Sequence, residues 1–120
     1  MPRYCMVARV DPHRLEEYRE RHAAVWPEML RALARAGWRG YTLHLGEDGL
    51  LVGVVDADDL DAARAAMGAT EVNARWQSAM ADFFASAPGA RPDLAFTVLP
   101  TVFDLDAQLA AAGPPEESAP

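Results

Sequence analysis

Tyr18 and His22 stand one helical turn apart in a stretch whose apolar residues recur at helical spacing. With about 100° between successive helical residues, Leu15, Tyr18, His22, Trp26, Met29 and Leu33 fall within one arc of roughly 80°, and His22 lies at its centre. Such a stripe faces a core. Burying the polar atoms of a histidine and a tyrosine there without partners costs about 1–3 kcal/mol each, so something polar must face them. A backbone carbonyl or a buried water would serve, and so would a polar ligand. An imidazole with an ordinary pKa of about 6.5 exchanges protons at neutral pH, which makes His22 a candidate general acid/base.

Two further aromatic residues with polar tips, Tyr41 and Trp76, complete a set suited to a carbohydrate pocket, where sugar C–H faces stack on rings. Each also fits a plain core role. Trp76 keeps helical spacing with Val72, Met80 and Phe83, and Tyr41 alternates with Leu43 and Leu45. Trp26, Gln77 and Asp56 are additional candidates for ligand contact, Asp56 because it closes a strand and leads the acidic run Asp56, Asp58, Asp59, Asp61. The rest of that run reads as a capped and solvated helix start. His13, His22 and His44 are scattered without the spacing of a metal site, and Gly46–Gly49 is a turn rather than a phosphate cradle. Neither a metal nor an organic cofactor is expected.

The elements that must position these residues follow from periodicity and punctuation. Residues 3–10 alternate so that Tyr4, Met6, Ala8 and Val10 share a face, which predicts a strand. Asp11 and Pro12 form a helix start, Gly37 a stop, and Pro27 a break just after Trp26. Residues 38–46 and 49–56 predict two strands joined by a tight turn at Glu47, Asp48 and Gly49. Helices are expected over 58–66 and about 71–85, with Gly68 between them, then a loop over 86–93 and a fourth strand within 94–103. The fold class is α+β with the order β, α, β, β, α, β: the ferredoxin-like split βαβ pattern, an antiparallel sheet with helices on one face. The other sheet face then needs a cover, which predicts a homodimer, a dimeric α+β barrel. Residues 1–106 form the domain, and residues 107–120, poor in aromatic and β-branched types, form a tail expected to be mobile.

The 120 residues suit one domain, and 51% apolar with 24% charged residues is a globular balance. A net charge of −7 opposes binding to nucleic acid, which needs a cationic footprint. No apolar run reaches the roughly 20 residues of a membrane span, and the first ten residues lack a signal-peptide core, so a cytoplasmic location is expected. The lone Cys5 cannot form an internal disulfide, in keeping with a reducing compartment.

The chain resembles the L-rhamnose mutarotase family over most of residues 1–104. The resemblance rests on RYCMVARVDPHRLEEYRERHAAVWPEMLRALARAG, GYTLHL with EDGLLVG, RW at 75–76, and TVFDLD. Its most specific part is the spacing Y-x-x-x-H-x-x-x-W-P-E, here Tyr18, His22, Trp26, Pro27 and Glu28. The resemblance implies an isomerase interconverting the α and β anomers of L-rhamnose or a related sugar, without cofactor. It implies His22 as proton donor, with Tyr18, Tyr41 and Trp76 binding the sugar. Gln77 stands where members usually carry a second tryptophan, and Thr101 to Leu105 replace an E-V-F-H-L ending. The reaction type carries over, and the preferred sugar is left open. The alternatives are a same-fold protein resembling antibiotic-biosynthesis monooxygenases and a small-molecule binding module without catalysis.

Overall fold

In the computed structural model, which describes residues 2–84 and 96–114, four antiparallel strands carry the molecule. Strand β1 (Arg3–Arg9) leads through a 3-10 turn, Pro12–Arg14, into helix α1 (Leu15–Ala23). The Asp11 carboxylate accepts from the His13 N–H at 2.9 Å and starts this segment, with Pro12 supplying the pre-set φ that the first position favours. Pro27, which cannot donate to a preceding turn, separates α1 from α2 (Pro27–Arg35), and Trp26 sits at the corner between them with extended backbone. The expected single broken helix is therefore two helices of 9 residues each.

Strands β2 (Arg39–Leu45) and β3 (Leu50–Asp56) form the expected hairpin. Gly49 closes it at φ 93°, a conformation that favours glycine. Its N–H bonds the Gly46 carbonyl at 3.0 Å while its own carbonyl accepts from Val10 at 2.8 Å, so the turn is fastened to the end of β1. Arg39 pairs with Asp56, yet Thr42 pairs with Val54, so β2 carries one extra residue, a bulge at Gly40 and Tyr41. Plain alternation would put Arg39 on the face of Tyr41. The bulge turns Arg39 outward beside Asp56 and keeps Tyr41 inward.

Helices α3 (Leu60–Gly68) and α4 (Glu71–Met80) follow, each capped from its first residue: Asp59 accepts from Ala62 N–H at 3.1 Å, and Thr70 Oγ1 from Asn73 N–H at 3.3 Å. A 3-10 turn, Ala81–Phe83, extends α4. The expected loop over 86–93 lies outside the described residues. Strand β4 spans only Thr97–Leu99, shorter than the alternation of residues 94–103 suggests, because Pro100 has no N–H for the ladder. The sheet order is β2-β3-β1-β4. Helix α5 (Leu105–Ala112) ends the described chain, capped by Asp104, whose carboxylate accepts from Ala107 N–H at 2.9 Å. Six residues of the expected tail, 107–112, are thus helical, since AQLAAA consists of strong helix formers behind a good cap.

The core lies between one sheet face and the helices. Met6 and Ala8 of β1 and Val10 just beyond it, with Leu51 and Val55 of β3, meet Tyr18, Met29, Leu60, Met67, Trp76 and Met80 from the helices. Fully burying a side chain of this kind stabilises by about 1.5–3 kcal/mol, so the face match alone fixes the register of the central strands. The opposite face carries Cys5, Val7, Val52, Val54 and Leu99, none of them covered by a helix of the described chain.

Candidate active site

A cavity of about 430 Å³ opens between the helices and the inner sheet face. Tyr18 and His22 reach it from α1, Tyr41 from the bulged part of β2, and Trp76 and Gln77 from α4. All five were expected ligand contacts from sequence, and the fold brings them to one wall-and-floor arrangement. Met6, Met29 and Leu43 supply apolar surface between them.

His22 is held in two ways. Its ring stacks on the Tyr18 ring, centroids 4.2 Å apart at 28°, and its Nδ1 donates to the Tyr18 carbonyl oxygen at 2.9 Å. A carbonyl can only accept, so Nδ1 carries hydrogen and, in the neutral ring, Nε2 carries the lone pair. Burial lowers the His22 pKa from its ordinary value, partly offset by the bond to the Tyr18 carbonyl. At neutral pH the imidazole is therefore uncharged and Nε2 is a proton acceptor. The partner foreseen for a buried histidine, a backbone carbonyl, is present, but it satisfies only one nitrogen.

Burial pushes both phenols well above the ordinary tyrosine value, so Tyr18 and Tyr41 remain protonated donors throughout the physiological range. No described hydrogen bond engages either hydroxyl or His22 Nε2, while no sealed side-chain nitrogen or oxygen among the described residues lacks a partner. The three groups must therefore be open to solvent, and the cavity is the space they line. Trp76, 7% exposed, is both a core anchor and a cavity wall: its ring meets the His22 ring edge-on at 5.4 Å.

Two expectations are corrected. Asp56 does not border the cavity. It sits at the outward end of β3, paired with Arg3 at 3.2 Å, and of the acidic run it is Asp61, on the first turn of α3, that reaches the rim. Trp26 is not in the lining either; 37% exposed at the α1–α2 corner, it packs edge-on against Trp76 at 5.0 Å.

Among the lining residues that the sequence does not single out are Trp38, Arg64 and Asn73. Trp38 packs on the Tyr41 ring at 4.8 Å, anchored by its Nε1–H bond to the Ala63 carbonyl at 3.2 Å. Arg64 shares the α3 rim with Asp61. Asn73 lies one turn before Gln77 on α4, a spacing that could have exposed it. Among the described residues no cluster of His, Cys, Asp and Glu is arranged to hold a metal ion.

A family profile described as L-rhamnose mutarotase matches residues 3–105. An L-rhamnose mutarotase of Sinorhizobium fredii is 36% identical over 106 residues, 88% of this chain and 99% of that protein. One of Burkholderia orbicola is 38% identical over 84 residues, 70% of this chain and 81% of that protein. Among solved structures, an L-rhamnose mutarotase from Formosa agariphila superposes with a TM-score of 0.70 at 21% identity, over 88% of this chain and 99% of that one. An antibiotic biosynthesis monooxygenase gives 0.54 at 13% identity over 85% and 99%, a likeness of fold. With a profile match that runs through all four strands, and relatives above 30% identity across most of their length, this chain belongs to the L-rhamnose mutarotase family.

Proposed function

We propose that this chain is a mutarotase that interconverts the α and β anomers of L-rhamnose or a closely related sugar through a ring-opened aldehyde. One observation carries the reading: a neutral imidazole, fixed at Nδ1 by the Tyr18 carbonyl, shares an aromatic cavity with two protonated phenols. Ring opening needs a base for the anomeric hydroxyl and an acid for the ring oxygen, both bonded to C1. His22 Nε2 takes the O1 proton. As the C1–O5 bond breaks, its electron pair goes to O5, which takes a proton from a cavity phenol, and C1=O1 becomes the aldehyde. Rotation about C1–C2 and the reverse steps close the other anomer, with His22 now donating to O1 and O5 returning its proton to the phenolate. The role of donor that the resemblance implies and that of acceptor are the two halves of one cycle. Asp56, outside the cavity, has no part in it.

Trp76 offers a face or edge to the sugar C–H groups, packed against Trp26, and a lining that is mostly apolar and aromatic, with one acid and one base, Asp61 and Arg64, suits a neutral substrate. The family membership favours this reading over the oxygenase and binding-module alternatives. The chain works as a homodimer in the same proposal: no helix of the described residues covers the outer sheet face of Cys5, Val7, Val52 and Val54, and a second copy supplies a cover. Its place is the cytoplasm, whose reducing conditions the single cysteine suits.

Exchange between anomers of L-rhamnose, followed by NMR saturation transfer, tests the proposal. Acceleration by the protein and its loss in folded His22→Ala is the expected result; no acceleration with L-rhamnose or its close relatives defeats it.

A further inference from the structure

Two amides share the α4 wall with the Trp76 ring. Asn73 and Gln77 both border the cavity, and Gln77 Nε2 donates to Asn73 Oδ1 at 3.0 Å. Asn73 is 2% exposed, the only buried polar side chain among the described residues. An amide buried so deeply costs free energy unless it is hydrogen-bonded, and an apolar residue would fill a core-facing helix position without that cost. The helix start does not need this side chain, because it is the Asn73 backbone N–H that bonds Thr70 Oγ1. Among its bonds, the side chain supplies an acceptor for Gln77.

That bond fixes the Gln77 amide. With Nε2 committed to Asn73, the Oε1 carbonyl is the amide's remaining polar edge, and no described bond occupies it. Gln77 is half-buried and borders the cavity, and no sealed side-chain nitrogen or oxygen of the described residues lacks a partner, so Oε1 is accessible to solvent.

Resting on the mutarotase reading, we propose that Asn73 is a positioning residue that holds Gln77 as a hydroxyl reader, and that the pair selects among monosaccharides by a single O–H beside the Trp76 ring. A carbonyl oxygen demands a donor. A sugar with a C–H or methyl at that point dries the acceptor without pairing it, and sites built to bond a hydroxyl reject analogues that lack it far more strongly than apolar pockets reject an added group.

The test compares anomer exchange of L-rhamnose with sugars that differ from it by one hydroxyl: L-mannose, and the 2-, 3- and 4-deoxy analogues of L-rhamnose. Wild-type protein, Gln77→Leu, Asn73→Ala and Asn73→Asp are measured side by side. We expect the wild type to separate at least one such pair by about tenfold or more in kcat/KM. Gln77→Leu reduces that ratio to less than about threefold, and Asn73→Ala moves it the same way through KM rather than kcat. Asn73→Asp, which keeps the Oδ1 acceptor, restores part of it, as a merely structural role would not require. If the wild type accelerates exchange but the ratio survives in folded Gln77→Leu, or no pair is separated, the pair is not the reader while the mutarotase reading stands. Should Asn73→Ala fail to fold, Gln77→Leu and Asn73→Asp decide the matter. A wild type that accelerates no sugar removes both proposals.

Discussion

The Tyr18 carbonyl oxygen lies 2.9 Å from His22 Nδ1, and the two rings stack at 4.2 Å. Residue 18 thus acts on residue 22 through its backbone and its ring face, leaving its hydroxyl for another purpose. Tyr18→Phe keeps both contacts and removes only the phenol. It should leave the fold and the His22 tautomer intact yet lower kcat for anomer exchange, and Tyr41→Phe should do the same. His22→Gln, which loses the titrating ring, should cost about 10²–10⁴-fold in exchange rate while sugar binding persists. Saturation-transfer rates together with sugar titrations by NMR distinguish loss of chemistry from loss of binding.

The pH profile follows from the shifts. Burial lowers the His22 pKa below its ordinary value of about 6.5, so the base form that starts ring opening predominates at neutral pH and is lost as pH falls through the lowered pKa. The rate should rise with pH and level off once His22 has lost its proton, at lower pH than for an ordinary histidine. It should stay flat to at least about pH 9, because both phenols titrate above the ordinary value near 10. The same shift acts on stability with a definite sign. The unfolded chain takes up the histidine proton first as pH falls, so the contribution of neutral His22 is full above about 6.5 and is lost as pH drops toward the lowered folded value. Melting temperatures of wild type and His22→Gln across this range should differ in slope only there.

Asp56→Asn should leave exchange within about twofold. Its partner Arg3 is 73% exposed at the side chain, and an exposed pair of this kind contributes about 0–1 kcal/mol, so melting should shift little. A loss of exchange with the fold intact would return Asp56 to the site.

Gly49→Ala should be among the most damaging single methyl additions. A Cβ there would run into the Val10 carbonyl, and φ 93° is strained for any L side chain. The conformational strain alone is about 1–3 kcal/mol, before the contact is relieved. Thermal unfolding and hydrogen exchange of the Val10 amide, which bonds Gly49, should both report it.

Val52→Lys, on the outer face of the interior strand β3, should convert a dimer to a monomer of about 13.0 kDa by light scattering, without opening the core on the other face. A wild type already monomeric at micromolar concentration would end the dimer proposal.

Much of this was legible before any coordinates. Of the arc from Leu15 to Leu33, Tyr18, His22, Met29 and Leu33 still border the cavity on either side of the helix break, while Trp26, at the corner itself, leaves the stripe. Tyr18, His22, Tyr41 and Trp76 could be read because aromatic residues with polar tips at core-facing positions are energetically conspicuous. Asp56 misled because its side-chain direction depends on sheet register, which a sequence does not display; one position along, Val55 faces inward. Asn73 was hidden for the opposite reason. Asparagine near a helix start reads as local capping, and only the packing of α4 shows that its backbone does that work while its side chain looks into the cavity. The length of β4 was overread because alternation persists past Pro100 although the ladder cannot.

The bond from His22 to Tyr18 closes within one turn of α1, a helix of 9 residues. The proton-exchanging unit is therefore inherited as a short contiguous stretch, while Asn73, Trp76 and Gln77 lie on a different helix, α4. Substitutions at Asn73 and Gln77, unlike those at Trp76, whose ring meets His22, can accumulate without touching the carbonyl that sets the imidazole. A lineage can change the sugar it favours one residue at a time, with no intermediate generation in which the chemistry itself has been lost.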